Sequence, residues 1–292
     1  MSDFLHICIV GLGLIGGAMA KTIRQKTNAR VYGFNRSAEV ANRAKEEGVL
    51  DGVLGKDGKL EDMDLVILGL YPDNCIEFVK EHIGCFKEGA VIVDCCGTKQ
   101  KICDALWEIC HEKGVHFIGG HPMAGIEKSG YDASFVGLFD QASMILCKLS
   151  SAEDEIFPAV KAFFLGLGFG SIREATPEEH DRIIAYTSQM AHVVSSAYIK
   201  SEACRIRYGF SAGSFKDMTR VAYLNEHMWT ELFMENRDSL LSEMEEFIGH
   251  MKEYHDALES RNEELLCKLL KEGRICKEED IAKEEKVRKE IK

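Results

Sequence analysis

The sequence predicts an α/β fold over residues 1–173, a parallel sheet covered by helices, followed by an all-α domain over residues 174–292. Three observations carry this reading. Short apolar runs alternate with longer amphipathic ones from residue 6 to about 173, a glycine-rich turn joins the first run to the first helix, and no strand-like run follows Thr176. Strand and helix in alternation mean βαβ units, whose parallel strands are joined by right-handed crossovers.

The predicted strands are, in order, HICIV, RVYGF, DLVILGL, AVIVDCC and VHFIGG, with ASMILC extending the sheet. They read as continuously apolar because helices cover both faces of a parallel sheet. Between them lie helices from Leu14 and Ala38, near Asn74 and near Lys101, and a last helical stretch to Phe164. Thr176-Pro177-Glu178-Glu179 then starts a helix of a different kind: Thr is the N-cap, Pro the first helical residue, and Glu reaches back as in a capping box. The helix from Pro177 to about Ala203 is apolar around most of its circumference, so it is expected to be buried in a bundle. It carries one polar stripe, Ser188, Gln189, His192, Ser195 and Ser196, which needs partners such as a substrate cavity would supply. Farther on, Leu240, Met244, Phe247, Met251, Tyr254 and Leu258 follow steps of four and three, a seam that asks for another helix, from this chain or a second copy. Lys277 to Lys292 is almost wholly charged and reads as a solvated helix end or a frayed tail.

Composition narrows the function. A chain of 292 residues exceeds what one core usually organises, so two domains with a catalytic centre between them are expected. A net charge of −12 without clustered Lys and Arg argues against a nucleic-acid partner, and any anionic ligand must be held by a few local cations. No run of about 20 apolar residues is long enough to span a bilayer. Of the eleven cysteines, Cys8, Cys95, Cys103, Cys147 and Cys204 sit in apolar runs, and no pair has zinc-finger or CxxC spacing, which predicts a reducing, cytoplasmic setting with no disulfide and no metal.

The glycine turn carries the first chemistry. Gly11-Leu12-Gly13-Leu14-Ile15-Gly16 lies between an apolar strand and a helix, the context that a dinucleotide-binding, Rossmann-type fingerprint requires. The first glycine permits the tight turn, the second lets backbone approach the pyrophosphate, and the third packs helix on strand, while the first-turn amides at Leu14 and Ile15 face the phosphates. Tyr71, just past the third strand, is placed among the cofactor contacts. The second strand ends Asn35-Arg36-Ser37, with no acid to accept a ribose 2′-hydroxyl. Asn35 cannot repel a 2′-phosphate, Arg36 can pair with one and Ser37 can add a hydroxyl, so the sequence points to NADP rather than NAD. The plainer alternative is that Arg36 stacks on adenine and either cofactor binds.

His121, in GGHPMAG straight after the VHFIGG strand, lies where open α/β sheets bind ligands, beyond the carboxyl ends of the strands. A histidine there can take the proton of an alcohol being oxidised. Arg220, in KDMTR, has the planar fork that suits a carboxylate, although an arginine on a helix is more often solvated.

These residues resemble the prephenate and arogenate dehydrogenase family over nearly the whole chain. The likeness rests on VGLGLIGGAMA at 10–20, DCCGTK at 94–99, GGHPMAGIEKSG at 119–130, SQMAHVVSSA at 188–197, KDMTRVA from 216 and MWTELFMEN ending at 236. It implies oxidative decarboxylation of prephenate to 4-hydroxyphenylpyruvate in tyrosine biosynthesis, or of arogenate to tyrosine, with hydride passing to a nicotinamide. It also implies that His121 hydrogen-bonds the ring hydroxyl, that Arg220 binds the ring carboxylate, and that His192 orients the substrate. Thr98, Ser129 and Gln189 would be further substrate contacts, Gly97 and Thr98 standing where many members carry Ser. The helical domain would form a homodimer. Two rivals remain open, a dehydrogenase of the β-hydroxyacid type, whose acid-base lysine is missing before Lys200, and a dinucleotide sensor, which has no use for His121.

Overall fold

The computed structural model describes residues 4–126 and 128–290. Its first part is one sheet of eight strands in the order β3-β2-β1-β4-β5-β6-β7-β8. The strands are β1 His6–Val10, β2 Arg30–Phe34, β3 Gly52–Val53, β4 Leu65–Leu68, β5 Val91–Asp94, β6 His116–Pro122, β7 Ser143–Cys147 and β8 Ser171–Ala175. The helices α1 Leu14–Lys26, α2 Ala38–Glu46, α3 Pro72–His82, α4 Gln100–Glu112 and α5 Phe157–Gly166 accompany them. β4 and β5 are buried at every residue, as continuous apolar runs in the middle of a doubly covered sheet should be. Two apolar clusters, one on each face, make the core.

Three features differ from the expectation. Gly52–Val53 forms a short strand beside β2, so the VHFIGG run is the sixth strand, not the fifth. Ser171–Ala175 is a strand that crosses the predicted boundary at 173. It lies at the end of the sheet with Arg173 and Glu174 exposed, and a charged edge strand does not present the apolar run by which central strands are recognised. Third, β6 and β7 pair antiparallel, while every other adjacent pair is parallel. The segment 123–142 between them carries a short 3₁₀ turn at Tyr131–Ala133 in place of a crossover helix among the described residues, and a parallel return requires such a crossover.

The second part is helical: α6 Pro177–Ile184, a π turn Ala185–Gln189, α7 Met190–Tyr198, α8 Ala203–Ile206, α9 Gly213–Thr219, α10 Glu226–Glu235, α11 Arg237–Glu259 and α12 Glu263–Glu290. Thr176 caps α6 by accepting from the Glu179 amide at 3.1 Å, with Pro177 at the first position. Glu179 turns instead to Arg173, 3.1 Å away, so only half of the expected capping box forms. The long helix expected from Pro177 to Ala203 is interrupted by the π turn, which changes the face each later residue presents. Nor is it buried within one chain: Ile183, Tyr186 and Tyr198 are 44, 67 and 50% exposed. Along α11 the predicted seam is covered at Leu240, while Phe247, Met251 and Leu258 remain open. All eleven cysteines are free thiols. Among the described residues no helix is long and apolar enough to cross a membrane.

Candidate active site

The site begins at the β1–α1 turn. Gly11 sits at φ +91°, where L side chains are strained, and donates its amide to Phe34 O at 2.7 Å. A Cβ on Gly16 would lie 1.8 Å from the Gly11 carbonyl oxygen, so α1 can pack this closely only with glycine there. Gly13, by contrast, faces open space: a Cβ built on it meets nothing within 4 Å. Two glycines that pack and one that leaves room, ahead of the orphan amides of Leu14 and Ile15, form a cradle that fits a pyrophosphate.

Asn35 braces this cradle. Its side-chain oxygen accepts from the Leu12 amide at 2.9 Å and its amide group donates to Ser37 O at 3.1 Å, so its role is to shape the loop. Arg36 and Ser37 are exposed, and among the described residues neither side chain has a partner, which leaves both able to meet a ligand. Tyr71, half exposed, precedes α3 on the same edge of the sheet, directly after Leu70, whose side chain packs against Gly11.

His121, near the end of β6, meets residues that sequence reasoning missed. Its Nδ1 is 2.8 Å from Nε2 of His180, whose own Nδ1 is 2.7 Å from the Asp181 carboxylate. Asp181 is fixed by the backbone amides of Lys99 and Gln100, at 2.7 and 2.9 Å. Behind them Lys99 and Asp94 form an ion pair with no solvent exposure. The Asp94 carboxylate also accepts from the amides of Cys96 and Gly120, which ties the loop after β5 to strand β6. Burial, then the neighbouring His180 and Lys99, hold His121 well below the usual histidine value. Burial also lowers His180, and its hydrogen bond to Asp181 opposes this only in part. Both imidazoles are therefore neutral at neutral pH, and the contact between His180 and Asp181 is a hydrogen bond of a neutral ring. The only sequence signal was the dipeptide His180-Asp181 in the first turn of a helix expected to be buried. Nothing local tied it to His121, 59 residues earlier.

A second cluster lies in the helical domain. His192 on α7 packs against Trp229 with ring centroids 3.7 Å apart and the rings tilted by 36°, and its Nδ1 donates to Val221 O at 2.9 Å. Burial and the Arg220 charge both lower it, so it is neutral with Nε2 left as an acceptor. Nearby, a groove of about 400 Å³ is lined by Arg207, Ser211, Phe215, Lys216, Asp217, Thr219 and Arg220. The Arg207 guanidinium lies over the rings of Phe215 and Tyr208, 4.4 and 5.1 Å from their centroids.

Two of the expected substrate contacts, Thr98 and Gln189, are engaged by protein partners. Thr98 is buried and its hydroxyl donates to Glu235 at 2.6 Å, an oxygen pair that ties the sheet domain to α10 together with Lys101. Gln189 is 1% exposed, its amide donating to Leu232 O at 3.1 Å and its oxygen accepting from Asn236 at 2.9 Å. The π turn directs it into the domain. Ser129 lies exposed on the loop beyond β6 and carries no hydrogen bond among the described residues. The carboxylates of Asp73, Glu231 and Glu235 converge closely, but the Lys101 ammonium is paired with two of them.

Comparison with known proteins identifies the family. The family model for the nucleotide-binding domain of prephenate dehydrogenase matches residues 19–172, and that for its dimerization domain matches residues 176–272. The prephenate dehydrogenase of Lactococcus lactis is 29% identical over 92% of this chain and 75% of its own length. The cyclohexadienyl dehydrogenase of Zymomonas mobilis is also 29% identical, over 94% of this chain and 95% of its own. Among solved structures, prephenate dehydrogenase from Aquifex aeolicus, in complex with hydroxyphenyl propionate and NAD+, superposes with a TM-score of 0.82 at 28% identity, covering 94% of this chain and 97% of that one. A nucleotide-binding model that accounts for more than half of the chain and a dimerization model that follows it place this protein in the prephenate dehydrogenase family, as a dehydrogenase that uses a nicotinamide dinucleotide.

Proposed function

We propose that the chain converts prephenate to 4-hydroxyphenylpyruvate and CO₂, with NADP preferred over NAD. The observation that carries this reading is the half-buried His121 at the carboxyl end of β6, hydrogen-bonded to His180 at 2.8 Å, at the end of the sheet that also carries the glycine cradle. The nicotinamide, when bound, accepts the hydride from C4 of the ring. His121 accepts the hydrogen bond of the C4 hydroxyl and draws its proton away as the hydride departs. The pair of electrons released from the bond between C1 and its carboxylate enters the ring, CO₂ leaves, and the proton returns to oxygen as the phenol forms. No net proton is consumed, so the chain's task is to hold ring, carboxylate and His121 in register.

The cationic groove bears on the choice between prephenate and arogenate. It sets Arg207, Lys216 and Arg220 against the single acid Asp217. Prephenate carries two carboxylates and no ammonium, whereas the amino group of arogenate cancels one charge. A net positive groove therefore favours prephenate. Arg36 and Ser37, exposed beside the cradle, support NADP, since Arg36 offers a fork to a 2′-phosphate. The exposed apolar residues of α6, α7 and α11 support a homodimer through the helical domain. The test is kcat/KM for each substrate with each cofactor. Prephenate with NADP is expected to be the best pair, and faster turnover of arogenate, or a preference for NAD, would overturn the corresponding half of the proposal.

A further inference from the structure

We infer that His180 is a positioning residue for the reaction: it holds His121 in the tautomer whose free lone pair, on Nε2, faces the substrate hydroxyl. The inference rests on the reading of His121 as the hydroxyl's acceptor, and the geometry allows one assignment of hydrogens. Both Asp181 oxygens accept backbone N–H groups, at 2.7 and 2.9 Å, so the carboxylate cannot rotate and has no hydrogen to give. Across the 2.7 Å contact the donor is therefore His180 Nδ1. A neutral imidazole with hydrogen on Nδ1 has only a lone pair on Nε2, so across the 2.8 Å contact the donor is His121 Nδ1. The hydrogen of His121 is thus committed away from the substrate, and Nε2 is left as acceptor.

The arrangement also answers what happens once His121 holds the proton. Its imidazolium is hydrogen-bonded to His180, which is bonded to an anion, so positive charge is stabilised through the relay while Asp181 itself stays out of the reaction. Lys99, whose charge would oppose this, is neutralised by Asp94. His180 and Asp181 from α6, with Lys99 and Asp94 from the β5–α4 segment, are the ionisable groups shown to act on this end of the imidazole. His180 is 2% exposed and touches no reacting atom in this account, so its effect on the reaction passes through His121.

The experiment combines tautomer and kinetics. In protein labelled with ¹⁵N at histidine, with cofactor bound and no substrate, the His121 ring should show hydrogen on Nδ1. Hydrogen on Nε2 in the wild type overturns the inference, and this reading does not depend on which substrate the enzyme uses. His180→Leu, which leaves Nδ1–H without an acceptor, should lower kcat about 100-fold or more while KM and cofactor affinity stay within about twofold. His180→Gln, whose side-chain oxygen falls near the position of Nε2, should recover most of that loss. Equal losses in the two variants with the His121 tautomer unchanged would make His180 a packing residue and sink the proposal. Failure of the wild type to oxidise prephenate would instead strike the assigned function.

Discussion

The two halves of the chain treat apolar surface in opposite ways. In the sheet half, β1, β4 and β5 are almost without exposed atoms, and each face of the sheet finds its cover within the same chain. In the helical half, Tyr186, Ile206, Tyr208, Phe210, Tyr223 and Ile248 are 60 to 90% exposed. Large apolar side chains crowded on one half and open to water mark a surface meant for another molecule. The difference teaches that one domain folds around its own core and carries the glycine cradle and His121, whereas the other leaves apolar surface open within one chain and carries the cationic groove. The buried polar network around His121 is sealed at their junction, since Asp181 belongs to α6 and its backbone donors, Lys99 and Gln100, to the start of α4.

The largest effect should come from the sheet half. His121→Asn is expected to fold and bind cofactor normally and to lose about 100-fold or more in kcat, the usual scale for a general acid-base group. Turnover close to wild type would remove His121 from the chemistry. On the proposed role of His121 as acceptor, the neutral ring is the active form, and since burial lowers its pKa the acid limb of kcat/KM should lie below the ordinary histidine value of 6.5, activity falling only as pH drops through that lower point. A limb at or above 6.5 would contradict that role.

The helical half should break differently. Phe247→Asp places a charge on the open part of the α11 seam, and two-fold symmetry uses each such site twice, so association should weaken about 100-fold or more. Sedimentation at micromolar concentration should show a wild-type dimer and a dissociating variant. A wild-type monomer would leave the exposed apolar surface without its proposed cover.

Arg220→Ala should raise KM for prephenate about tenfold to a hundredfold with cofactor affinity unchanged, since a charge-assisted bond to a carboxylate contributes roughly 1.5–3 kcal/mol. An unchanged KM would return Arg220 to a solvated helix position. The smallest change is expected at the open edge of the cradle: Arg36→Ala should reduce the preference for NADP about tenfold by kcat/KM, because the contact is exposed to solvent. If the ratio does not move, Arg36 stacks on the adenine instead.

Much of this molecule is determined locally. The alternation of apolar runs and amphipathic helices sufficed to divide the chain into sheet and helices. A glycine at positive φ and another in close approach made the Gly11–Gly16 turn readable, since no other residue meets those demands. Thr176 and Pro177 mark a helix start for equally local reasons. What the sequence by itself could not determine is which polar groups meet. Thr98 and Gln189 look available for a substrate on a helical or motif pattern, yet one is taken by Glu235 and the other by Leu232 and Asn236. The π turn shifts the polar stripe, and the charged edge of β8 hides a strand. His121 was legible from its loop, but its pairing with His180 was not. A side chain's hydrogen-bond partner is chosen by the packing that excludes water around it, and that packing joins residues far apart in the chain.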